Sequence, residues 1–327
     1  MVNKLESVVS AGRVLAGFLR SEQALLLCLR LAVCSLFLGR GILYLSNFAP
    51  LSVFFWNQSL LEEPLERWFD LAWVDYAATS EPLILGVQDA LGVLFLICAI
   101  VCWLVPRERH RWARWVVYLG MIGLIPYWLL KWVDTNYQVP MFMEHFLQWG
   151  TPLLLLLYRR LSDKWWYALA WLLVSLTFIG HGHYAIGLGV PHNNDFVNMC
   201  IKLLGTDVAG ARLFLNWVGW IDLALPFLIL VPRIRIPALI YTATWGLATA
   251  FARIFSHYTP AEDYYGLHPW VAEAVVRFTH GLSPLAMLIM LLYFAQRKKD
   301  NKIISIQTRR ADEQTVTDND QAQSGGV

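Results

Sequence analysis

The chain has 327 residues, of which 57% are apolar and only 15% are charged, and its net charge is +2. Soluble proteins carry roughly 25% charged residues, and with a mean hydropathy of +0.47 this composition excludes an ordinary water-soluble domain. Several apolar runs reach the roughly 20 residues that a bilayer-spanning helix needs. The composition predicts an all-α membrane protein surrounded by the lipid bilayer. It gives no basis for a nucleic-acid partner, because the basic segments are short.

Residues 1–23 form a polar, weakly amphipathic lead-in without the features of a cleavable signal peptide. The apolar runs that follow predict about eight membrane-spanning helices, at residues 24–45, 83–105, 112–133, 141–158, 165–187, 209–231, 235–255 and 270–294. Residues 298–327 are polar and end in Gln-Ser-Gly-Gly-Val, which predicts a disordered cytoplasmic tail.

The loops between these spans alternate in charge, and this pattern sets the predicted orientation. Basic residues follow the second, fourth, sixth and eighth spans, at Arg107, Arg109, Arg111, Arg114, Arg159, Arg160, Lys164, Arg233, Arg235 and six positions between Arg297 and Arg310. The first and last of the opposite loops are longer and acidic. Because positively charged loops stay on the cytoplasmic side, both termini are predicted to be cytoplasmic, in a multi-pass protein of a bacterial-type inner membrane.

Two segments on the predicted outer side have apolar residues at helical spacing. Residues 59–76 place Leu61, Leu65 and Trp68 at helical intervals, and residues 193–204 are a shorter segment of the same kind. Both segments predict amphipathic helices that lie on the membrane or cap the bundle.

An internal duplication divides the membrane part into a first four-helix repeat, residues 24–160, and a second four-helix repeat, residues 161–297. The two repeats share short motifs at equivalent places. The paired motifs are Phe37-Leu-Gly-Arg-Gly41 and Phe178-Ile-Gly-His-Gly182, Pro140-Met-Phe-Met-Glu144 and Pro269-Trp-Val-Ala-Glu273, and Gly150-Thr-Pro-Leu153 and Leu282-Ser-Pro-Leu285. Because each repeat has an even number of spans, both have the same orientation, which makes this a parallel repeat.

Nearly all ionisable groups inside the predicted spans fall in the outer half of the bilayer. They include Arg40, Asp89, Lys131, Asp134, Glu144, His145, His181, His183, Asp222, Arg253, His257, Glu273, Arg277 and His280. Such groups are costly in a membrane and face the protein interior or a water-filled cavity. The one-sided distribution predicts a polar cavity, or two related ones, open to the extracytoplasmic side. The alternative is structural: the carboxylates pair with cations or favour helix ends, and only hold helices together.

Seven of the eight histidines lie on the predicted outer side, and six of these seven belong to the second repeat. We therefore interpret the second repeat as the active copy. Neutral imidazole binds metals and carries protons near neutral pH. His181 and His183 cannot both face one site on an intact helix, and the sequence has no Cys-x-x-Cys, His-Glu-x-x-His or haem-attachment motif. Three interpretations stay open: a bound metal or haem, a proton-coupled quinone site, and structural polarity.

Three segments of the chain resemble helices of DoxX-like membrane proteins, a family of four-helix membrane units. The likeness rests on residues 29–43, 173–184 and 219–232, and in the last of these an acidic residue precedes an apolar run that ends at proline. By this resemblance the chain looks like two fused units over residues 24–296. The family includes a subunit linked to thiosulfate oxidation with quinone reduction, so the resemblance implies a quinone-linked function. It places Arg40, Asp89, His181 and Asp222 at motif positions.

The leading hypothesis is a membrane subunit, accessory or catalytic, of a redox system that passes electrons from a small extracytoplasmic reductant to quinone. A redox partner subunit would belong to such a system. In this hypothesis His181 and His280 accept protons, and Asp222 and Glu273 orient these two histidines. The candidate cofactor-binding residues are Arg40, Asp89, His183, Arg253 and His257. Of these, Arg40 or Arg253 would hold an anionic group. The alternatives are a metal- or haem-binding membrane protein with unassigned ligands, a small-solute or lipid transporter, and an assembly protein without catalysis.

Overall fold

The computed structural model describes the backbone of residues 17–106, 108–258 and 264–324. The chain is 85% helical, and the described residues contain no strand. The prediction of an all-α protein is therefore confirmed. The helices are α1 (Glu22–Leu45), α2 (Ser52–Phe55), α3 (Gln58–Phe69), α4 (Trp73–Thr79), α5 (Glu81–Val101), α6 (Arg111–Asp134), α7 (Val139–Glu144), α8 (Phe146–Leu157), α9 (Asp163–Ile186), α10 (Asn194–Leu204), α11 (Val208–Leu230), α12 (Arg235–His257), α13 (Tyr264–Arg277) and α14 (Thr279–Ser324).

Seven helical segments among the described residues are long and apolar enough to cross a bilayer. They are Glu22–Leu45, Glu81–Leu104, Arg111–Asp134, Asp163–Ile186, Val208–Leu230, Arg235–His257 and Leu267–Asn301. Each overlaps one of the predicted spans, and the chain is a polytopic membrane protein. Many of the large apolar side chains on these segments are exposed, as the lipid-facing side of a membrane helix requires.

The predicted span at 141–158 is two short helices, α7 and α8, which meet at His145. Neither helix alone has the length of a span, so the count of eight crossings stays a prediction. The junction has its own hydrogen bonds. The backbone N–H of Leu147 donates to the hydroxyl of Thr177 at 3.0 Å, and Nδ1 of His145 lies 2.8 Å from the carbonyl oxygen of Met141. The eighth predicted span is divided in the same way, between α13 and α14.

Two compact units are present, one formed by Met1–Leu25 with Leu288–Val327 and the other by Leu26–Met287. In the first unit α14 continues to Ser324, although the composition predicted disorder from residue 298. No glycine or proline occurs between residues 285 and 324 to interrupt the helix. The predicted repeat boundary at 160/161 lies inside the second unit and stays a prediction.

The two predicted amphipathic segments are helical. The first forms two helices, α3 and α4, because Asp70 adopts the left-handed conformation with φ 51° and ends α3. Neither α3 nor α4 has a buried residue. The second segment is α10, whose first turn is capped by Asn193, since its side-chain oxygen accepts from the backbone N–H of Asp195 at 2.9 Å. The apolar face of α10 buries Val197 and Cys200 against α9 and α11.

Glycines in the second unit bring together the helices that carry the polar groups. A Cβ added at Gly182 of α9 would lie 2.9 Å from the carbonyl oxygen of Gly219 on α11, and one at Gly219 would lie 2.9 Å from that of Gly182. A Cβ added at Gly246 of α12 would collide with the backbone of His280 on α14. Such small residues allow close approach of membrane helices. The close contacts place His181, Asp222, Arg253 and His280 around one space.

Candidate functional site

A cavity of about 270 Å³ lies within the second unit, between α9, α10, α11 and α12 and the junction of α13 with α14. Most of its wall is apolar, with aromatic and aliphatic side chains that include Phe178, Phe196, Leu215, Val218 and Trp245. The thiol of Cys200 is also part of the wall, and burial raises its pKa. A small, mostly apolar cavity with a few convergent polar groups is the usual form of a small-molecule site.

Five polar side chains from five helices are part of the cavity wall: His181, Asp222, Arg253, Arg277 and His280. His181, Arg253, Arg277 and His280 interact electrostatically with one another and form a polar end of the cavity, whereas Asp222 contacts Trp245 instead. The rings of His181 and His280 are 5.2 Å apart between centroids. These five residues include three of the four residues predicted to be catalytic, His181, His280 and Asp222, and one predicted cofactor-binding residue, Arg253.

Two buried polar atoms on the cavity wall have no hydrogen-bond partner among the described residues, and one buried guanidinium there has no ion pair. Oδ1 of Asp222 and Nε2 of His280 are buried and form no hydrogen bond. The guanidinium of Arg253, a residue that is 7% exposed, makes no ion pair with any described carboxylate. An unsatisfied buried polar group costs about 1–3 kcal/mol. A ligand with hydrogen-bonding groups would offset that cost at Oδ1 of Asp222 and Nε2 of His280.

Asp222 does not form the ion pair with His181 that the structural alternative proposed. Its carboxyl group lies on the cavity wall, and its residue is 3% exposed. The carboxylate beside His181 is Glu144, with Oε2 3.6 Å from Nδ1 of His181. Glu144 is therefore in a position to orient His181, the role that the sequence analysis gave to Asp222.

Glu144 has three cationic or ionisable neighbours and is 4% exposed. Its Oε1 lies 3.8 Å from Nη2 of Arg277 and 3.9 Å from Nδ1 of His145. These separations are longer than hydrogen bonds, so the contacts are electrostatic. Glu144 is not among the site residues predicted from the sequence, whereas Glu273 of the matching motif is. The shared Pro-x-x-x-Glu pattern of Glu144 and Glu273 was the signal that could have identified it.

Arg40 and Glu273, predicted to bind a cofactor and to orient a histidine, bind each other instead. Nη1 of Arg40 donates to Oε1 of Glu273 at 3.2 Å, and Nη2 donates to Oε1 of Gln148 at 2.6 Å. The guanidinium carbon lies 3.6 Å from the ring centroid of Tyr127, a cation–π geometry. Neither Arg40 nor Glu273 lines the cavity. Their pair connects α1 with α13 next to the site.

The three other candidate cofactor-binding residues lie away from the cavity wall. Asp89 is exposed on α5, whereas its neighbour Gln88 is buried and donates to the carbonyl of Tyr44 at 2.9 Å. Nδ1 of His183 lies 3.3 Å from the carbonyl oxygen of Leu188. His257 contacts the carbonyl of Arg253 and stacks on Trp270, with 3.5 Å between ring centroids. The structure does not bring these three residues together with His181.

Two contacts have the form that a twofold relation between the predicted repeats would produce. The basic residue of each Gly-basic-Gly motif faces the glutamate of the other repeat, as Arg40 faces Glu273 and His181 faces Glu144. The hydroxyls of Thr151 and Ser283, at matching motif positions, are 2.9 Å apart. The repeat itself stays a prediction.

Among the described residues, no group of three or more His, Cys, Asp or Glu side chains is arranged to hold a metal ion. Comparison with protein-family models, with curated proteins and with solved structures gave no match for this chain. The function of this protein is therefore inferred from the geometry of the cavity.

Proposed function

We propose that this protein is a quinone-binding membrane subunit of a redox system, with the quinone headgroup in the cavity between α9 and α14. The proposal includes the predicted inner-membrane location, with cytoplasmic termini and the cavity near the extracytoplasmic side. The observation that supports it most directly is the convergence of His181, Arg253, Arg277 and His280 at one end of an apolar cavity whose wall also includes Asp222. The resemblance to DoxX-like proteins is part of the proposal.

The chemistry of a quinone headgroup suits this wall. The headgroup is a flat apolar ring with two carbonyl oxygens, so it needs hydrogen-bond donors at its edge and aromatic or aliphatic contacts on its faces. Arg253 offers donors and forms no ion pair with a described carboxylate. Nδ1 of His280 donates to the carbonyl oxygen of Arg277 at 3.0 Å, so its free Nε2 accepts a hydrogen bond when the ring is neutral and donates one when the ring is protonated. Phe178, Phe196 and Trp245 offer apolar faces. Arginine keeps its charge when buried and is suited to a carbonyl oxygen that gains negative charge on reduction.

Reduction of a quinone to a quinol takes up two electrons and two protons. In this proposal the electrons come from a two-electron reductant soluble on the outer side, either directly or through a partner redox subunit. The chain itself binds the headgroup and delivers protons to its two oxygens from His181, His280 and Asp222. Glu144, at 3.6 Å from His181, stabilises the imidazolium that His181 forms when it is protonated again.

A second function is favoured by the charges on the wall. Two guanidinium groups, Arg253 and Arg277, face the cavity together with one carboxyl group, Asp222. This excess of positive charge would also suit an anionic lipid or solute, and the protein would then be a binding protein or transporter. A quinone and an anionic lipid are distinguished by direct competition.

The test measures decylubiquinone binding to full-length protein in lipid nanodiscs through the fluorescence of Trp245, which lines the cavity. We expect saturable quenching in the wild type and about tenfold or more weaker binding in His181→Ala, since a lost hydrogen bond costs about 0.5–1.5 kcal/mol and an unsatisfied partner adds to it. His183→Ala is the matched control, because His183 lies on the same helix outside the cavity wall. Trp245→Phe identifies the quenching that comes from the cavity.

Equal quenching in the wild type and in His181→Ala, or none in either, contradicts the quinone proposal. Displacement of a fluorescent fatty acid, with no response to decylubiquinone, supports the anionic-lipid alternative instead.

A further inference from the structure

The cavity has a side opening between α11 and α12. Of the residues on its wall, Phe214 of α11 and Ala248 of α12 are exposed, and so are Leu203 and Leu204 at the end of α10. The polar residues at the other end are buried; Arg253 is 7% exposed and His280 is 3% exposed. The wall is therefore polar and buried at one end, and apolar and exposed at the other.

The surface around this opening is apolar. The exposed side chains beside it on the two helices are Leu213 and Trp217 of α11 and Phe251 and Phe255 of α12. Both helices are candidate membrane spans. Large apolar side chains that are exposed on a membrane span face the acyl chains of the bilayer. The opening consequently faces the hydrocarbon of the membrane.

The route towards the predicted outer water phase is covered by α10. Phe196, Met199 and Cys200 of this helix form part of the cavity wall. Its buried residues pack against Ala185 of α9 and against Ala211 of α11. A molecule that comes from water would have to displace this amphipathic helix, whereas a molecule dissolved in the bilayer meets the exposed apolar opening.

We infer that the cavity takes its ligand sideways from the bilayer, and that the ligand is an amphipath with an isoprenoid or alkyl chain. The headgroup lies at the polar end, against Arg253 and His280. The chain leaves between α11 and α12, past Phe214 and Ala248, and continues along the exposed faces of these helices. This inference depends on the proposed function, because it names the form in which a quinone would be bound.

The first experiment uses two photoreactive analogues of decylubiquinone, with wild-type full-length protein in nanodiscs. One carries a diazirine on the headgroup and the other at the end of the chain. We expect the headgroup probe to label cavity residues such as Thr249. The chain probe should label peptides that contain Leu213, Trp217 or Phe251, and unlabelled decylubiquinone should compete with both probes.

The two probes separate failure of this inference from failure of the proposed function. If the headgroup probe labels the cavity and the chain probe labels residues 187–195, which are not part of the cavity wall, the chain leaves through the outer side and the sideways path is wrong. If competed labelling by the headgroup probe falls outside the cavity, or does not occur, the quinone site and the path are both wrong.

A second experiment narrows the opening. Ala248→Trp adds a large side chain at its edge, and Ala90→Trp makes the same change at an exposed position of α5, remote from the cavity wall. We expect Ala248→Trp to weaken decylubiquinone binding tenfold or more, and to weaken binding of the chainless headgroup less than threefold. Ala90→Trp should leave both unchanged. Equal losses for both ligands in Ala248→Trp would overturn the path. If this variant does not fold, the labelling of the wild type decides.

Discussion

At the scale of single residues, two buried arginines near the cavity have opposite environments. Arg40 is 1% exposed and is held by Glu273, Gln148 and the ring of Tyr127. Arg253 is 7% exposed, and no described carboxylate forms an ion pair with it. The side chain of Arg40 therefore contributes to folding, whereas Arg253 retains its hydrogen-bonding capacity for a ligand. From the sequence, both residues were predicted to bind a cofactor.

The contrast predicts opposite effects of one substitution. Arg40→Met leaves Glu273, whose side chain is 25% exposed, without the guanidinium that is hydrogen-bonded to it. Breaking a fully buried pair from one side costs about 3–5 kcal/mol, and the exposure of Glu273 places the cost here below that range. We expect a lower thermal unfolding temperature of the nanodisc-embedded protein. Arg253→Met removes a charge that forms no ion pair with a described carboxylate, so stability should be unchanged or higher while decylubiquinone binding weakens.

The double variant Arg40→Met/Glu273→Met provides the control for this prediction. Removal of both charges should restore part of the lost stability, because no unpaired carboxylate is left behind. If the double variant is as unstable as Arg40→Met alone, the packing of the arginine side chain, rather than its charge, stabilises the fold.

At the scale of secondary-structure elements, the position of His181 depends on a glycine contact between α9 and α7. A Cβ added at Gly180 would lie 2.7 Å from the backbone nitrogen of Glu144 and 2.7 Å from the carbonyl oxygen of Pro140. Backbone atoms cannot move away as a flexible side chain can. The contact fixes α7 against α9 and holds the carboxylate of Glu144 beside His181.

Gly180→Ala should therefore push α7 away from α9. We expect a loss of about 1–3 kcal/mol in stability from overpacking, together with weaker ligand binding, because Glu144 moves away from His181. Gly86→Ala on α5 is the matched control, since a Cβ there meets nothing within 4 Å. Alanine favours helix by up to about 1 kcal/mol over glycine, so Gly86→Ala should be neutral or stabilising. The measurements are thermal unfolding and Trp245 quenching, and equal effects of the two substitutions would contradict the assignment.

At the scale of the whole molecule, the open question is whether α7 and α8 together make one crossing. Seven candidate spans are single helices or parts of one helical region. With seven crossings the two termini would lie on opposite sides of the membrane, and with eight they would lie on the same side. The alternating loop charges favour eight crossings, with both termini in the cytoplasm.

This topology is tested with reporter fusions to the full-length chain. If both ends are cytoplasmic, as the loop charges predict, a green fluorescent protein at either terminus should fluoresce and alkaline phosphatase at either terminus should be inactive. A phosphatase fused within the loop between α9 and α10 should be active. An active phosphatase at one terminus only would mean an odd number of crossings, and α7 with α8 would then not span the bilayer.

The sequence by itself determined the all-helical class, the polytopic character and the approximate positions of seven spans, because these properties depend on local composition and on the length of apolar runs. It also included His181, Asp222, Arg253 and His280 among nine candidate residues for one polar cavity or two related ones, since an ionisable group within a membrane span needs a polar or protein environment.

Only the tertiary structure decided which polar groups meet each other. It pairs Arg40 with Glu273, places Glu144 instead of Asp222 beside His181, and leaves Asp89 on the outer face of α5. These outcomes depend on the rotation of each helix about its axis and on contacts across more than a hundred residues of chain. Apolar composition does not define that rotation, because lipid and protein interior are similarly apolar, so packing at positions such as Gly180 and Gly219 sets it instead.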